Sequence, residues 1–191
     1  MAAAGRDLAI CDATLELLAE VGYDRMSMDA VAARAHASKA TIYRRWAGKR
    51  ELVLDALRTR AESGAAAVET GSLRGDLFAT LRAMADEVGA SDAELMAGVL
   101  RAMRCTPGLG DCVRDRVFDS KADALRTVVD RAVARGELPP TADARLAHEV
   151  AGALWVQRVL VVGGTADDAF ITHVTDDVLI PLLCNPTQET P

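Results

Sequence analysis

Apolar residues recur three and four positions apart along almost the whole of this chain, and that spacing restricts it to packed helices. Leu8, Cys11, Leu15 and Leu18 trace one such stripe, with Asp12, Glu16 and Glu20 off it. No stretch alternates apolar and polar residues as a half-buried strand would. No internal repeat of roughly 20–50 residues runs through the sequence. Aromatic residues make up only 4% of the 191 positions, too few for an aromatic-rich β-sandwich, while the 50% hydrophobic content is ample for a core. The expected fold is all-α, with about nine helices.

Capping residues divide the pattern. Gly22 stands where a first helix should stop, because glycine accepts positive φ. Ser27 is placed to cap a short second helix through Ala35, with Asp29 in its first turn, where the helix dipole favours an anion. Ser38 caps a third helix, Lys39 to Trp46. Gly48 precedes a fourth, which starts at Lys49, carries Glu51 early and is expected to run well past Arg60. Further on, Ser72 precedes Leu73 to Val88, and Ser91 with Glu94 forms a capping-box pattern. Pro107 suits a first helical position, opening a long segment that ends near Gly136. Pro139 and Pro140 break the chain, and Thr141 is expected to cap a helix to about Val162. Gly163 and Gly164 end that helix. Thr165 to Asp168 open a last helix to about Ile180, closed by Pro181.

The net charge of −6 argues, taken whole, against a nucleic-acid partner, but the charge is unevenly spread. Residues 1–60 carry ten Lys/Arg and eight Asp/Glu, and the remaining residues twelve and twenty. From Arg34 to Arg50 there are six basic residues (Arg34, Lys39, Arg44, Arg45, Lys49, Arg50) and no acidic one. A basic island on an acidic chain is the footprint of local phosphate contact, against the plainer reading of a solvated helix face.

Three short helices followed by a long one, with the island on the third, is the layout of a helix-turn-helix that reads DNA. Ala35, His36 and Ala37 form the turn, where histidine tolerates positive φ better than most side chains. Ile42 and Trp46 share a face and would dock the third helix on Val31 and the first helix. The opposite arc then carries Ala40, Thr41, Tyr43 and Arg44, flanked by Lys39 and Arg45. Ala40 can meet a thymine methyl, the cations can reach guanine edges or phosphates, and Thr41 and Tyr43 can donate to phosphate. Ser27 and Ser38 sit at the two helix starts, and Lys49 adds a cation beside a third, where backbone amides attract phosphate.

Residues 6–54 resemble the DNA-binding domain of the tetracycline-repressor (TetR) family of bacterial regulators. The matching runs are Ile10-Cys11, then Leu17-Leu18-Ala19-Glu20-Val21-Gly22-Tyr23, then Val31-Ala32-Ala33-Arg34-Ala35, then Ser38-Lys39-Ala40-Thr41-Ile42-Tyr43-Arg44-Arg45-Trp46, with Lys49 and Leu52 beyond. Two places depart from the family pattern. The turn commonly reads Ala-Gly-Val-Ser and here is Ala35-His36-Ala37-Ser38. The usual paired threonines before the second helix are Met26-Ser27, which keeps the cap and loses one hydroxyl.

The resemblance implies a DNA-binding domain over residues 1–54 and a helical effector-binding and dimerisation domain over 55–191. Gly75-Asp76-Leu77 and the Ala134-Arg135-Gly136-Glu137-Leu138 pattern look similar to one subgroup of the family. The implied partners are a double-stranded DNA operator, a second copy of the chain and a small effector, with the long fourth helix as the element that tilts. From the residues themselves, the helices near 141–163 and 167–180 are apolar on more than one face. Leu154, Val159, Val162, Phe170, Val174 and Val178 therefore read as a homodimer seam, with burial inside one chain as the alternative. Met84, Met96, Met103, Phe118, Trp155 and Arg158 are candidate effector contacts, methionine making adaptable walls and Arg158 offering charge to an acidic ligand. The plainer reading makes them core, with Arg158 snorkelling.

Other functions have little support. There is no Ser/His/Asp set, phosphate-cradling glycine loop, His-Glu-x-x-His or supported carboxylate pair, so an enzyme is not expected. Cys11, Cys105, Cys112 and Cys184 read as reduced thiols, and the Cys105/Cys112 spacing without nearby histidine suits no zinc site. His148 and His173 stand singly among apolar residues. Neither metal nor cofactor is expected. Met1 to Ile10 has no signal-peptide pattern, and Val150 to Gly164 is interrupted by Gln157 and Arg158, so a cytoplasmic location without membrane contact is expected. The expected function is a dimeric transcriptional regulator, a repressor before an activator. Its alternative is a helix-turn-helix that contacts protein and has lost sequence-specific DNA binding.

Overall fold

The computed structural model describes residues 2–62, 67–86, 92–115 and 119–185. No strand occurs among them. The helices are α1 (Ala2–Arg25), α2 (Met28–Arg34), α3 (Lys39–Arg45), α4 (Lys49–Glu62), α5 (Leu73–Asp86), α6 (Asp92–Cys105), α7 (Leu109–Val113), α8 (Asp119–Ala134), α9 (Ala144–Val156), α10 (Asp168–His173) and α11 (Ile180–Cys184). A π-helical turn, Gln157–Val161, extends α9, and a second, Val174–Leu179, joins α10 to α11. The described helices thus slightly exceed the nine expected, in part because the π turn divides the last expected helix into α10 and α11.

The chain packs as two compact units, one of residues 1–63 and 89–119, the other of 64–88 and 120–191. A boundary at 54/55 falls inside α4, whose Leu52, Val53, Leu54, Ala56 and Leu57 are all buried in one cluster. The sequence also gave no reason to group α6 and α7 with the first three helices.

In the first unit, α1 leaves helical geometry at Gly22 (φ 77°, ψ 165°), where the first helix was expected to stop, and a short further helical stretch follows across that kink to Arg25. Ile10, Cys11, Leu15, Leu17 and Leu18 are buried, whereas Leu8 is half exposed and belongs to no core. Burial pushes the Cys11 thiol up to about 11, helped by Asp55, Asp12 and Asp7, and so makes it a poor nucleophile. α6 lies against α1 closely enough that a Cβ at Gly98 would stand 2.7 Å from the Leu18 carbonyl oxygen. Arg50 reaches across to the Pro107 carbonyl at 2.7 Å. Pro107 itself sits in a turn rather than at a helix start. Gly108, at φ 69°, turns the chain into α7 instead.

The second unit is built on Leu77, Val128, Ala132, Ile171, Leu179 and Leu183, all essentially inaccessible. The α5 start is capped by Ser72, whose hydroxyl accepts from Gly75 N–H at 3.2 Å. The fully buried Asp76 carboxylate accepts from the Thr70 amide and hydroxyl and from Arg135. A Cβ at residue 75 would overlap the Thr70 hydroxyl, which explains glycine there. Asp143, not Thr141, caps α9, its carboxylate accepting from Leu146 N–H at 2.9 Å. Asp167 caps α10. Pro181 does not close the last helix but stands in the first turn of α11, directly after the π turn. Ser91 of the expected capping box lies outside the described residues.

Candidate nucleic-acid interface

The start of α2 is fixed by Ser27, whose hydroxyl accepts from Ala30 N–H at 3.1 Å. Its end closes on a Schellman pattern: Ala37 N–H bonds the Ala32 carbonyl at 2.9 Å and His36 N–H the Ala33 carbonyl at 3.3 Å. That closure needs a left-handed residue at its centre, and His36 supplies it at φ 49°. The expectation for this turn therefore holds in detail, with histidine where glycine would be unstrained. Ser38 then starts α3, accepting from Thr41 N–H at 3.1 Å and exchanging a 2.9 Å hydrogen bond with the Thr41 hydroxyl.

Ile42 and Trp46 are buried in the same cluster as Val31 and the α1 stripe, so α3 is anchored by one face. The opposite face, Lys39, Ala40, Tyr43, Arg44 and Arg45, is exposed, with Thr41 partly covered. Tyr43 shows half of its surface.

The cations of this region fall into two kinds. Arg34 pairs with Glu20 at 2.6 and 2.8 Å and with Glu16 at 3.6 Å, tying α2 to α1; Glu20 is held below its usual range by the hydrogen bond from Arg34. Lys39 pairs with Asp29 at 2.6 Å, which raises its pKa. Arg45 approaches Asp7 at 3.5 Å and lies over the Trp46 ring. Arg44 has no ion-pair partner among the described residues. Lys49 has partners within the unit: its ammonium donates to the Tyr23 and Met26 carbonyls at 2.7 and 3.1 Å and lies 4.4 Å from the Tyr23 ring centre. It closes the carbonyl end of α1, so it is engaged inside the unit. What sequence reasoning missed is the acidic half of this surface. Asp7, Glu16, Glu20, Asp29 and Asp55 lie outside the basic island in sequence, and only the fold brings them onto it.

Residues 10–56 match the family model described as bacterial regulatory proteins of the tetR family, and residues 67–178 match a tetracyclin repressor-like C-terminal domain. The chain belongs to the tetR family. It is 41% identical over 179 residues to a DNA-binding transcriptional repressor TetR of Mycobacteroides abscessus, covering 93% of this chain and 94% of that one. An HTH-type transcriptional regulator, AqdR, of Rhodococcus erythropolis is 28% identical over 88% of this chain and 75% of its own length. Among solved structures, the fatty acid degradation regulator FadR of Bacillus halodurans superposes with TM-score 0.73 at 17% identity, covering 96% of both chains. FadR of Bacillus subtilis in complex with stearoyl-CoA gives 0.70 at 18%, covering 94% of this chain and 98% of that one. These two establish likeness of fold. This tetR-family chain is a DNA-binding transcriptional regulator.

The candidate effector residues divide between the units. Met103 packs on the first unit's core and Met96 lies on the same α6; Met84 and Trp155 pack on the second unit's core. Phe118 lies outside the described residues. Arg158 donates to the Thr165 carbonyl at 2.9 Å, approaches Asp167 at 3.5 Å and covers the Phe170 ring, tying it to the 163–167 loop. Phe170 meets Trp155 edge-on. Of the candidate seam, Val174 is corrected to a core residue at 3% exposure. Leu154, Val159, Phe170 and Val178 are half-buried, and Val162 is exposed together with the unexpected Val161. No helix among the described residues is long and apolar enough to cross a membrane.

Proposed function

We propose that this regulator is a homodimeric repressor that reads a pseudo-palindromic operator through α3 and is released by a small, mostly apolar effector. The observation that carries it is the division of α3 into a buried Ile42/Trp46 face and an exposed face of Ala40, Tyr43, Arg44 and flanking cations. In this reading Tyr43 and Arg44 meet base edges and phosphate, Ser27, Ser38, Lys39, Thr41 and Arg45 lie at the DNA margin, and residues 1–54 form the reading domain. Two copies of α3 reach successive major grooves about 34–36 Å apart, or a multiple of that.

Residues 55–191 then form the effector and dimer domain. The exposed valines after α9, Val161 at 75% and Val162 at 56%, support a seam with a second copy. The repressor name of the Mycobacteroides relative supports repression, and a stearoyl-CoA complex of a fold neighbour is compatible with a largely apolar effector. Effector binding would favour a conformer whose two recognition helices no longer match the groove spacing, a coupling typically of about 1–3 kcal/mol.

Affinity selection of random and genomic DNA by the purified protein at two salt concentrations tests the reading. An enriched inverted repeat, bound more weakly as salt rises, is the expected result. No enrichment at either salt, with the protein dimeric and folded, overturns it in favour of a protein-contact module.

A further inference from the structure

α3 has seven residues, too few to persist as a helix unaided. Its first turn is held by the Ser38 cap. At its other end Trp46 leaves the helix in extended geometry (φ −126°, ψ 124°) with its N–H still on the Ile42 carbonyl, and the Ala47 N–H that follows donates to Glu51 Oε2 at 2.7 Å. Beside these backbone ties, that end is secured by the Trp46 side chain, 2% exposed. A buried indole N–H requires an acceptor. Trp46 Nε1 donates to Asp55 Oδ2 on α4 at 2.9 Å, and the other oxygen of Asp55 accepts from Arg58 at 2.8 Å. Burial opposes the charge of Asp55, but the hydrogen bonds from Arg58 and Trp46 outweigh it and hold the carboxyl below its usual range. Beside these groups lies an open pocket of about 470 Å³ lined by Arg45, Trp46, Glu51, Leu54, Asp55 and Arg58. The hydrogen bond to Asp55 therefore acts together with the packing of the buried indole in setting its orientation.

We infer that Asp55 is a positioning residue for DNA recognition: by holding the Trp46 indole it fixes how α3 presents Tyr43 and Arg44. This rests on the operator-reading role of α3 proposed above. Asp55 itself sits on α4, off the reading face.

The test uses the full chain with Asp55→Ala and Trp46→Phe, singly and together, and Asp55→Asn, which keeps an acceptor oxygen. Hydrogen exchange is followed at the amides of residues 42–47. Affinity is measured for the selected operator and for a scrambled duplex of equal length. Each single variant is expected to speed exchange at 42–47 about tenfold, leaving α1 and α6 at wild-type protection, and to weaken operator binding about tenfold without changing scrambled-duplex binding. The double variant should bind no more weakly than the worse single one, and Asp55→Asn should recover most of the loss. Wild-type exchange at 42–47 in Asp55→Ala overturns the inference. So do fully additive losses in the double variant, or a uniform rise in exchange across α1 and α6. Failure of the operator reading looks different, since the wild-type chain itself would then enrich no sequence, and the exchange measurement still decides whether Asp55 holds α3.

Discussion

The buried carboxylate of Asp76 accepts a hydrogen bond from Arg135, 2.9 Å away and 59 positions later in the chain. The same carboxylate holds the Thr70 amide and hydroxyl, while Glu137 accepts from the Leu73 amide at 2.6 Å and pairs with Arg135. The Gly-Asp-Leu and Ala-Arg-Gly-Glu-Leu runs, noticed separately in the sequence, are thus two halves of one lock. It joins the start of α5 to the end of α8.

Asp76→Ala should accordingly cost the folded state about 1–3 kcal/mol, because it removes the buried acceptor shared by the Thr70 amide and hydroxyl and by Arg135. Urea unfolding followed by circular dichroism measures this. An unchanged midpoint would show that water replaces the carboxylate at no cost.

The lock also sets an acid limit. Burial alone would raise the Asp76 pKa, but Thr70 and Arg135 outweigh it and hold it down; Glu137 is lowered chiefly by the Leu73 amide and then by Arg135. The unfolded carboxylates take up protons near pH 4, before the folded ones do. Between those points the unfolded chain binds more protons, so stability is complete above about pH 5 and falls as the pH drops through the lowered folded values. Melting temperatures between pH 3 and 7 should show this acid limb. Asp76→Asn should flatten it while lowering the plateau.

Thr175 makes the opposite prediction. Thr14 and Thr127 return their hydroxyls to the carbonyl four residues back, at 2.7 and 2.8 Å. Thr175, fully buried in the second π turn, has no partner for its hydroxyl among the described residues. Replacing it with valine removes an unmet polar group at nearly constant shape, so Thr175→Val should be neutral or stabilise by about 1 kcal/mol. Thermal unfolding of Thr175→Val beside Thr14→Val checks it, and a marked loss confined to Thr175→Val would reveal a buried partner.

On the DNA side, Arg44 and Lys49 should part company. Arg44→Ala is expected to weaken operator binding roughly 10- to 100-fold and to relax the preferred sequence. Lys49→Met should lower the melting temperature and leave the salt slope of DNA binding where it was, since its ammonium serves the Tyr23 and Met26 carbonyls. A shallower salt slope in Lys49→Met would instead return this lysine to the phosphates.

That contrast marks how far the sequence could be read. Short-range physics was legible: the Ser27 and Ser38 caps, the left-handed His36 and the buried Ile42/Trp46 face all follow from residues within a few positions of one another. The partners of the cations were not. Asp29 to Lys39 and Asp7 to Arg45, like Asp55 to the indole of Trp46, are meetings between different helices, and periodicity carries no information about which polar side chains the fold brings together. The same gap hid the engagement of Arg158 with the 163–167 loop and the burial of Val174. It also hid the grouping of α6 with α1, which turns on Gly98 admitting a close backbone approach.

The π turn between α10 and α11 has one further consequence. Its hydrogen bonds span five residues instead of four, so it accommodates one residue more than an α-helical turn would. A helix of this kind carries slack in its length. Losing a single residue within Val174–Leu179 could be absorbed by a return to α-helical winding, with the flanking Ile171 and Leu183 keeping their seats in the core. The same deletion inside α5 has no such slack to draw on and would turn every later side chain by about 100°. Length variation among related chains should therefore gather at this turn.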